Sequence, residues 1–230
     1  MTIRQRLKTC AIIPVKELAD GKRRLAPALP APARRKLVLA MLEDVLETLA
    51  KLTEIGPCIV VTADPHVATV ALGSGLRVLH EQRSTGINDA VSLGLIEAAR
   101  IGMARALILP ADVPLAAAAE FRRILGPAEG GGTDRLVIVP SRNGEGTNAL
   151  LVPISRVFAP RYGEGSFLRH VSAALSEQRN LEVMHLPGLA RDIDHPADLD
   201  VLRSRRHGQP RYAFLEDAGA ATASPPRQAV

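Results

Sequence analysis

Tryptophan is absent from the 230 residues, and all aromatic residues together make up only 3%. An aromatic-rich β-sandwich core is therefore excluded. The 47% of hydrophobic residues must pack as Leu, Val, Ile and Ala. Cysteine is nearly absent too. Cys10 and Cys58 each open an apolar run and read as two buried thiols, not as a disulfide or a catalytic pair. No Cys/His cluster has zinc spacing, and the six histidines are dispersed, with none beside a Ser or Cys in a nucleophile motif. Covalent catalysis is not expected. No apolar run reaches the ~18 residues of a membrane span. The basic N-terminus, residues 1–9, is followed by an apolar run that stops at Val15, too short for a signal peptide. A cytoplasmic protein with no membrane partner is the expectation.

The formal net charge is +5, with 29 Lys and Arg against 24 Asp and Glu. Scattered arginines without stacking aromatics point away from nucleic acid and toward small polyanions. A length of 230 residues suits one domain. That domain is expected over residues 1–203. Residues 204–230 read as a tail, basic at first and then rich in Ala, Pro and Ser, with 218–230 disordered.

Short apolar runs alternate with amphipathic stretches. Strands are expected at 10–15, 58–62, 76–79, 106–110, 136–140, 148–152 and 181–186. Helices are expected at 34–52, after Asp64-Pro65, and at 87–101, 115–125, 166–176 and 196–202. In the helix over 34–52, Leu37, Met41, Val45, Leu49 and Leu52 form one apolar face. The triple-glycine stretch 127–134 reads as a loop. Strand–helix alternation with continuously apolar strands predicts an α/β, Rossmann-like, mostly parallel sheet with helices on both faces. Ligands in such folds bind beyond the carboxyl ends of the strands.

Three segments sit at those ends. The first runs Pro14-Val-Lys16 to Pro27. It lacks both glycine-rich phosphate-binding patterns but carries Lys16, Lys22, Arg23 and Arg24. Cations there can neutralise a triphosphate as pyrophosphate leaves. The second, Pro110-Ala-Asp112-Val-Pro114, places a carboxylate rigidly between prolines. Asp112 is thus a candidate ligand for Mg²⁺, a hard cation that takes one or two carboxylates plus substrate phosphates. The third, Asp192-Ile-Asp194-His-Pro-Ala-Asp198, offers Asp194, with Asp192 and Asp198 as alternatives. Two polar loops follow the same logic. Residues 141–147 and 161–166 can offer amides and hydroxyls to an anion. Asn88, at a helix start, reads either as a cap or as a nucleoside contact.

Taken together these residues resemble a known family. Pro-Val-Lys16, Lys22-Arg-Arg24-Leu-Ala-Pro, Asn88, Pro-Ala-Asp112-Val-Pro, Gly146-Thr147-Asn-Ala-Leu, Arg161-Tyr-Gly163 with Ser166, and Asp192-Ile-Asp194-His-Pro match in order over roughly residues 10–203. The pattern is similar to the 2-phospholactate, phosphoenolpyruvate or 3-phosphoglycerate guanylyltransferases of coenzyme F-420 biosynthesis. They fall in the same superfamily as the molybdenum-cofactor guanylyltransferases, whose glycine-rich opening this chain replaces with its Lys/Arg loop. The resemblance implies a nucleotide-diphospho-sugar transferase-like domain, Mg²⁺ as cofactor, GTP and a three-carbon phosphorylated acid as substrates, and release of pyrophosphate. The product would pass to a later coenzyme F-420 enzyme, and a homodimer is compatible with it. By the same resemblance Lys16, Lys22 and Arg24 are catalytic. Pro14, Val15, Lys16, Lys22, Asn88 and Asp112 bind nucleotide. Thr147, Gly163 and Ser166 bind the acid, and Asp112 and Asp194 hold the metal.

Glu164, between Gly163 and Ser166, would repel an anionic acceptor unless it hydrogen-bonds a hydroxyl. That keeps 3-phospho-D-glycerate level with phosphoenolpyruvate and places 2-phospho-L-lactate behind. The alternatives are another nucleotidyltransferase, of molybdenum-cofactor or sugar-phosphate type, and a basic binding protein using Arg203 to Arg206.

Overall fold

The computed structural model describes residues 9–19, 21–126, 134–156 and 158–216. A seven-stranded sheet comprises β1 (Thr9–Val15), β2 (Ile55–Thr62), β3 (Arg77–His80), β4 (Arg105–Ile108), β5 (Arg135–Pro140), β6 (Thr147–Pro153) and β7 (Asn180–Val183). Their spatial order is β3-β2-β1-β4-β6-β5-β7. Only β6 runs against the others, pairing antiparallel with both β4 and β5. The helices are α1 (Ala31–Ala50), α2 (Pro65–Gly73), α3 (Ile87–Arg100), α4 (Ala118–Leu125), α5 (Ser166–Ser176) and α6 (Pro196–Arg206).

Side-chain alternation along β1 explains the layering. Ala11, Ile13 and Val15 join one core cluster, which includes Leu37, Met41, Val45 and Leu49 of α1. Cys10 and Ile12 join the other, with Val91 of α3 and Ala174 of α5. Both faces of the strand are buried, as continuous apolar runs require of a parallel sheet. Gly94 lets α3 approach the sheet closely, since a Cβ there would overlap Ile12 Cγ2.

Several boundaries differ from the sequence reading. Helix α1 begins earlier, because prolines fit a helix's first turn. Strand β7 ends at Val183, where its ladder with β5 stops. Helix α5 keeps its expected bounds, and its N-cap residue is Gly165, in a left-handed conformation (φ 63°) that glycine adopts without strain. The largest correction concerns the end of the domain expected at residue 203. Helix α6 continues to Arg206, and Tyr212 and Leu215 are buried in the first core cluster. Asp44 of α1, itself buried, anchors this segment. It receives Tyr212 Oη at 2.8 Å and Arg211 Nη1 at 2.5 Å, and the Arg206 guanidinium forms an ion pair with it at 3.0 Å. Residues 127–133 of the glycine loop, and 218–230 of the expected tail, lie outside the described residues. Among the described residues, no helix is long and apolar enough to cross a membrane.

Candidate active site

The central strands end at one rim of the sheet. Beyond β1 the chain turns away at Lys16, and Leu18 donates its amide to Asp64 Oδ2 at 2.9 Å. Asp64 also caps α2 through the amides of His66 and Val67. Burial alone would raise its pKa, but these three amides outweigh burial and hold it below the ordinary value. Asp64 therefore stays ionised and fastens the loop. Farther on, Lys22 takes a left-handed backbone conformation (φ 54°), uncommon for a residue with a side chain. A 3-10 turn follows (Arg23–Leu25), and Leu25 and Leu29 plug the loop into the core.

Lys22 points inward between two carboxylates. Its ammonium lies 2.5 Å from Asp112 Oδ2 and 2.6 Å from Asp194 Oδ1. The side chain is only 8% exposed. Burial would favour the neutral amine, but the charges of Asp112 and Asp194 outweigh it and raise the lysine's pKa. Asp194 is correspondingly lowered. Burial opposes that direction, and the Lys22 charge overcomes it. Arg24 Nη1 adds a longer, exposed contact to Asp194 at 3.4 Å.

Main-chain bonding fixes the distance between the two carboxylate loops, because Ile193 donates its amide to the Asp112 carbonyl at 3.0 Å. The structure also sorts the three aspartates of the 192–198 stretch. Asp198 accepts the amides of Asp194 and His195 and caps α6. Asp192 accepts from Asn148 Nδ2 at 3.1 Å, and burial together with the Asp112 charge raises its pKa. Only Asp194 faces Asp112 across Lys22.

One oxygen remains unaccounted for. Asp112 Oδ1 is buried with no hydrogen-bond partner among the described residues, a costly condition for a carboxylate. A buried free oxygen beside a second carboxylate is a donor set that suits a hard divalent cation. No group of three or more Cys, His, Asp or Glu poised for a metal occurs among the described residues. A cation here would thus complete its shell with water and substrate oxygens, as Mg²⁺ commonly does.

A cleft of about 720 Å³ opens beside these groups. Lys16, Arg24 and Arg142 line it with Asp194, Asp192, Gly163 and Glu164. The remaining predicted residues stand behind the lining. Pro14 and Val15 close β1. Thr147 and Ser166 are buried, 6% and 2% exposed. Asn88 holds the 161–163 loop: its Oδ1 accepts the Tyr162 amide at 2.7 Å, and its Nδ2 donates to the Tyr162 carbonyl at 3.2 Å. Both ends of that amide are occupied within the protein, so in this structure Asn88 positions a loop. Sequence reasoning missed Asn148, Arg142 and His170 as site residues. His170 carried one usable signal. It falls on the inward stripe of α5, with Ser166, Ala173 and Ala174, where a polar side chain needs a partner.

The Arg203 to Arg206 segment is partly spent inside the protein. Arg203 donates to the Leu215 carbonyl, and Arg206 to the Pro114 carbonyl.

The chain matches the family described as guanylyl transferase CofC-like over residues 9–225. It is 39% identical to a phosphoenolpyruvate guanylyltransferase of Conexibacter woesei, covering 88% of this chain and 92% of that one. A 2-phospho-L-lactate guanylyltransferase of Methanothermobacter thermautotrophicus is 33% identical, over 84% of this chain and 83% of that one. Among solved structures, a Desulfovibrio desulfuricans G20 chain assigned to the nucleotide-diphospho-sugar transferases superposes with a TM-score of 0.72 at 17% identity, covering 92% of this chain and 95% of that one. A nucleotidyl transferase of Methanothermobacter thermautotrophicus superposes with a TM-score of 0.61 at 19% identity, covering 86% and 97%. At those identities the structural likeness speaks for the fold.

Proposed function

Since this chain belongs to the CofC-like guanylyl transferase family, we propose that it moves GMP from GTP to a three-carbon phosphorylated acid and releases pyrophosphate. The carrying observation is the cluster of Lys22 between Asp112 and Asp194, one cation to two carboxylates, beside a cleft lined by Lys16 and Arg24. An acceptor phosphate oxygen attacks the α-phosphorus. The new P–O bond forms as the bond to the β-phosphate oxygen breaks, and that oxygen keeps the electron pair. The acceptor phosphate is already anionic and needs no strong base, so catalysis reduces to positioning and charge neutralisation.

In this reading Asp112 and Asp194 hold Mg²⁺, which, when bound, withdraws charge from the phosphate oxygens. Lys22, Lys16 and Arg24 face the triphosphate and neutralise the departing pyrophosphate. The Pro14–Val15 strand end forms the floor under the nucleotide, and Asn88 acts through the 161–163 loop that it holds. The acid sits against Gly163 and toward the hydroxyl of Thr147, with Ser166 behind them, its amide turned back to the Gly163 carbonyl. The product would then be taken up by a coenzyme F-420 enzyme.

Two acceptors lead. Phosphoenolpyruvate is supported by the name of the Conexibacter relative. 3-Phospho-D-glycerate is supported by Glu164, an exposed carboxylate on the cleft wall that can accept a hydroxyl proton. 2-Phospho-L-lactate comes behind them. The test incubates the protein and Mg²⁺ with each nucleoside triphosphate and each of the three acids, and reads pyrophosphate and product mass. Pyrophosphate with GTP and at least one of these acids supports the proposal. Turnover confined to CTP or to sugar phosphates defeats it.

A further inference from the structure

The polar groups behind the acid side of the cleft converge on one imidazole. His170 is fully buried in α5. Its Nε2 accepts the Arg161 amide at 2.9 Å, so that nitrogen carries no proton. The ring proton of a neutral imidazole then sits on Nδ1, 2.9 Å from Thr147 Oγ1. Thr147 Oγ1 therefore accepts from His170, which leaves the hydroxyl's own proton to donate elsewhere. Tyr162, edge-on at 4.9 Å, and Phe158, tilted at 6.0 Å, confine the ring. Burial, with the charges of Arg169 and Arg161, pushes the imidazole's pKa down to about 4, so the neutral tautomer persists at neutral pH.

We infer that His170 is a positioning residue for the acceptor: it orients the Thr147 hydroxyl as a donor and ties the 161–166 loop to β6. The inference rests on the acceptor placement proposed above. Asn88 holds the same loop from α3 at Tyr162, but only His170 also reaches Thr147, whose chain neighbours Gly146 and Asn148 line the cleft. A histidine that merely satisfies the core would affect folding stability without distinguishing one substrate from the other.

The experiment compares the full chain with His170→Phe, which keeps a ring and loses both bonds, and with His170→Gln, which can keep one. Thr147→Val removes the hydroxyl alone and serves should the Phe variant fail to fold. Each is assayed with GTP and the acid that wild type prefers, alongside calorimetric titration of that acid and a thermal melt. The expected result is an acid KM raised at least about tenfold in the Phe and Val variants, a GTP KM changed less than about twofold, and partial recovery with Gln. Both KM values rising together, or a lowered melting temperature with unchanged KM values, overturns the inference. Wild-type protein that transfers GMP to none of the three acids defeats the functional reading itself, and the inference with it, before any variant is compared.

Discussion

Asp112 uses its two oxygens unequally: Oδ2 receives the Lys22 ammonium at 2.5 Å, while Oδ1 is buried without a hydrogen-bond partner among the described residues. The lysine therefore neutralises the carboxylate without satisfying it. A second cation has both a reason to bind and a place to do so, provided that Lys22 yields some of its hold.

Asp112→Ala should then abolish guanylyl transfer while the fold persists. Removing one preorganised electrostatic partner of a transition state costs about 10²–10³ in kcat, and a metal carboxylate should cost no less. Steady-state rates with circular dichroism check it. Wild-type-like turnover would remove Asp112 from the metal assignment.

Lys22→Ala separates two roles. Loss of a triphosphate cation should raise the apparent KM for GTP more than that for the acid. Loss of the ammonium also leaves Asp112 and Asp194 facing each other unneutralised, so Mn²⁺ should bind the nucleotide-free variant several-fold more tightly than wild type. Enzyme kinetics reads the first effect, and electron paramagnetic resonance of free Mn²⁺ reads the second. A larger change in the acid KM would move the lysine to the acceptor.

Acidity should act through His170. Its folded pKa, about 4, lies below the ordinary 6.5, so between these values the unfolded chain binds more protons than the folded one. Stability therefore rises with pH across that window, and acidification from 6.5 to 4 removes on the order of 2–3 kcal/mol from this group. Arg161 and Arg169 oppose the added charge, and the Arg161 amide loses its acceptor. Urea titrations at stepped pH should show a slope in wild type that flattens in His170→Phe.

The clamp on Asp44 makes a stability prediction. Asp44→Ala leaves Arg206 and Arg211 without their shared buried partner and Tyr212 Oη without an acceptor. Breaking such a pair from one side costs about 3–5 kcal/mol. For a chain of this size that is a melting temperature lowered by roughly 6–20 °C. Truncation after residue 203 should cost more, since it also exposes the pocket filled by Tyr212 and Leu215.

The sequence made the sheet and most helices legible because the central strands are apolar on both faces and most helices on one. The closeness of Asp112 and Asp194 was not written in any local pattern, for they are 82 residues apart and Asp64, just past β2, is spent on capping a helix. Other features depend on distance along the chain. Asn88 and Tyr162 are 74 residues apart, and Thr147 and His170 are 23 apart. No local pattern announces either pairing. The segment beyond residue 203 misled for a compositional reason. Its arginines look solvated in sequence, whereas Arg203, Arg206 and Arg211 each bind inside the fold, and a single 3-10 turn too short for periodicity carries Tyr212 inward.

The lone antiparallel strand divides the site into two parts. The segments that carry Lys22, Asp64 and Asp112 follow the parallel strands β1, β2 and β4, where a shifted residue disturbs several ladders at once. Thr147 and the 141–146 turn belong to the β5–β6 hairpin, whose strands pair onward with β7 and β4. The cleft is thus walled from two separately connected parts of the sheet, and a substitution in the 141–146 turn alters one wall without touching the residues after β1, β2 and β4.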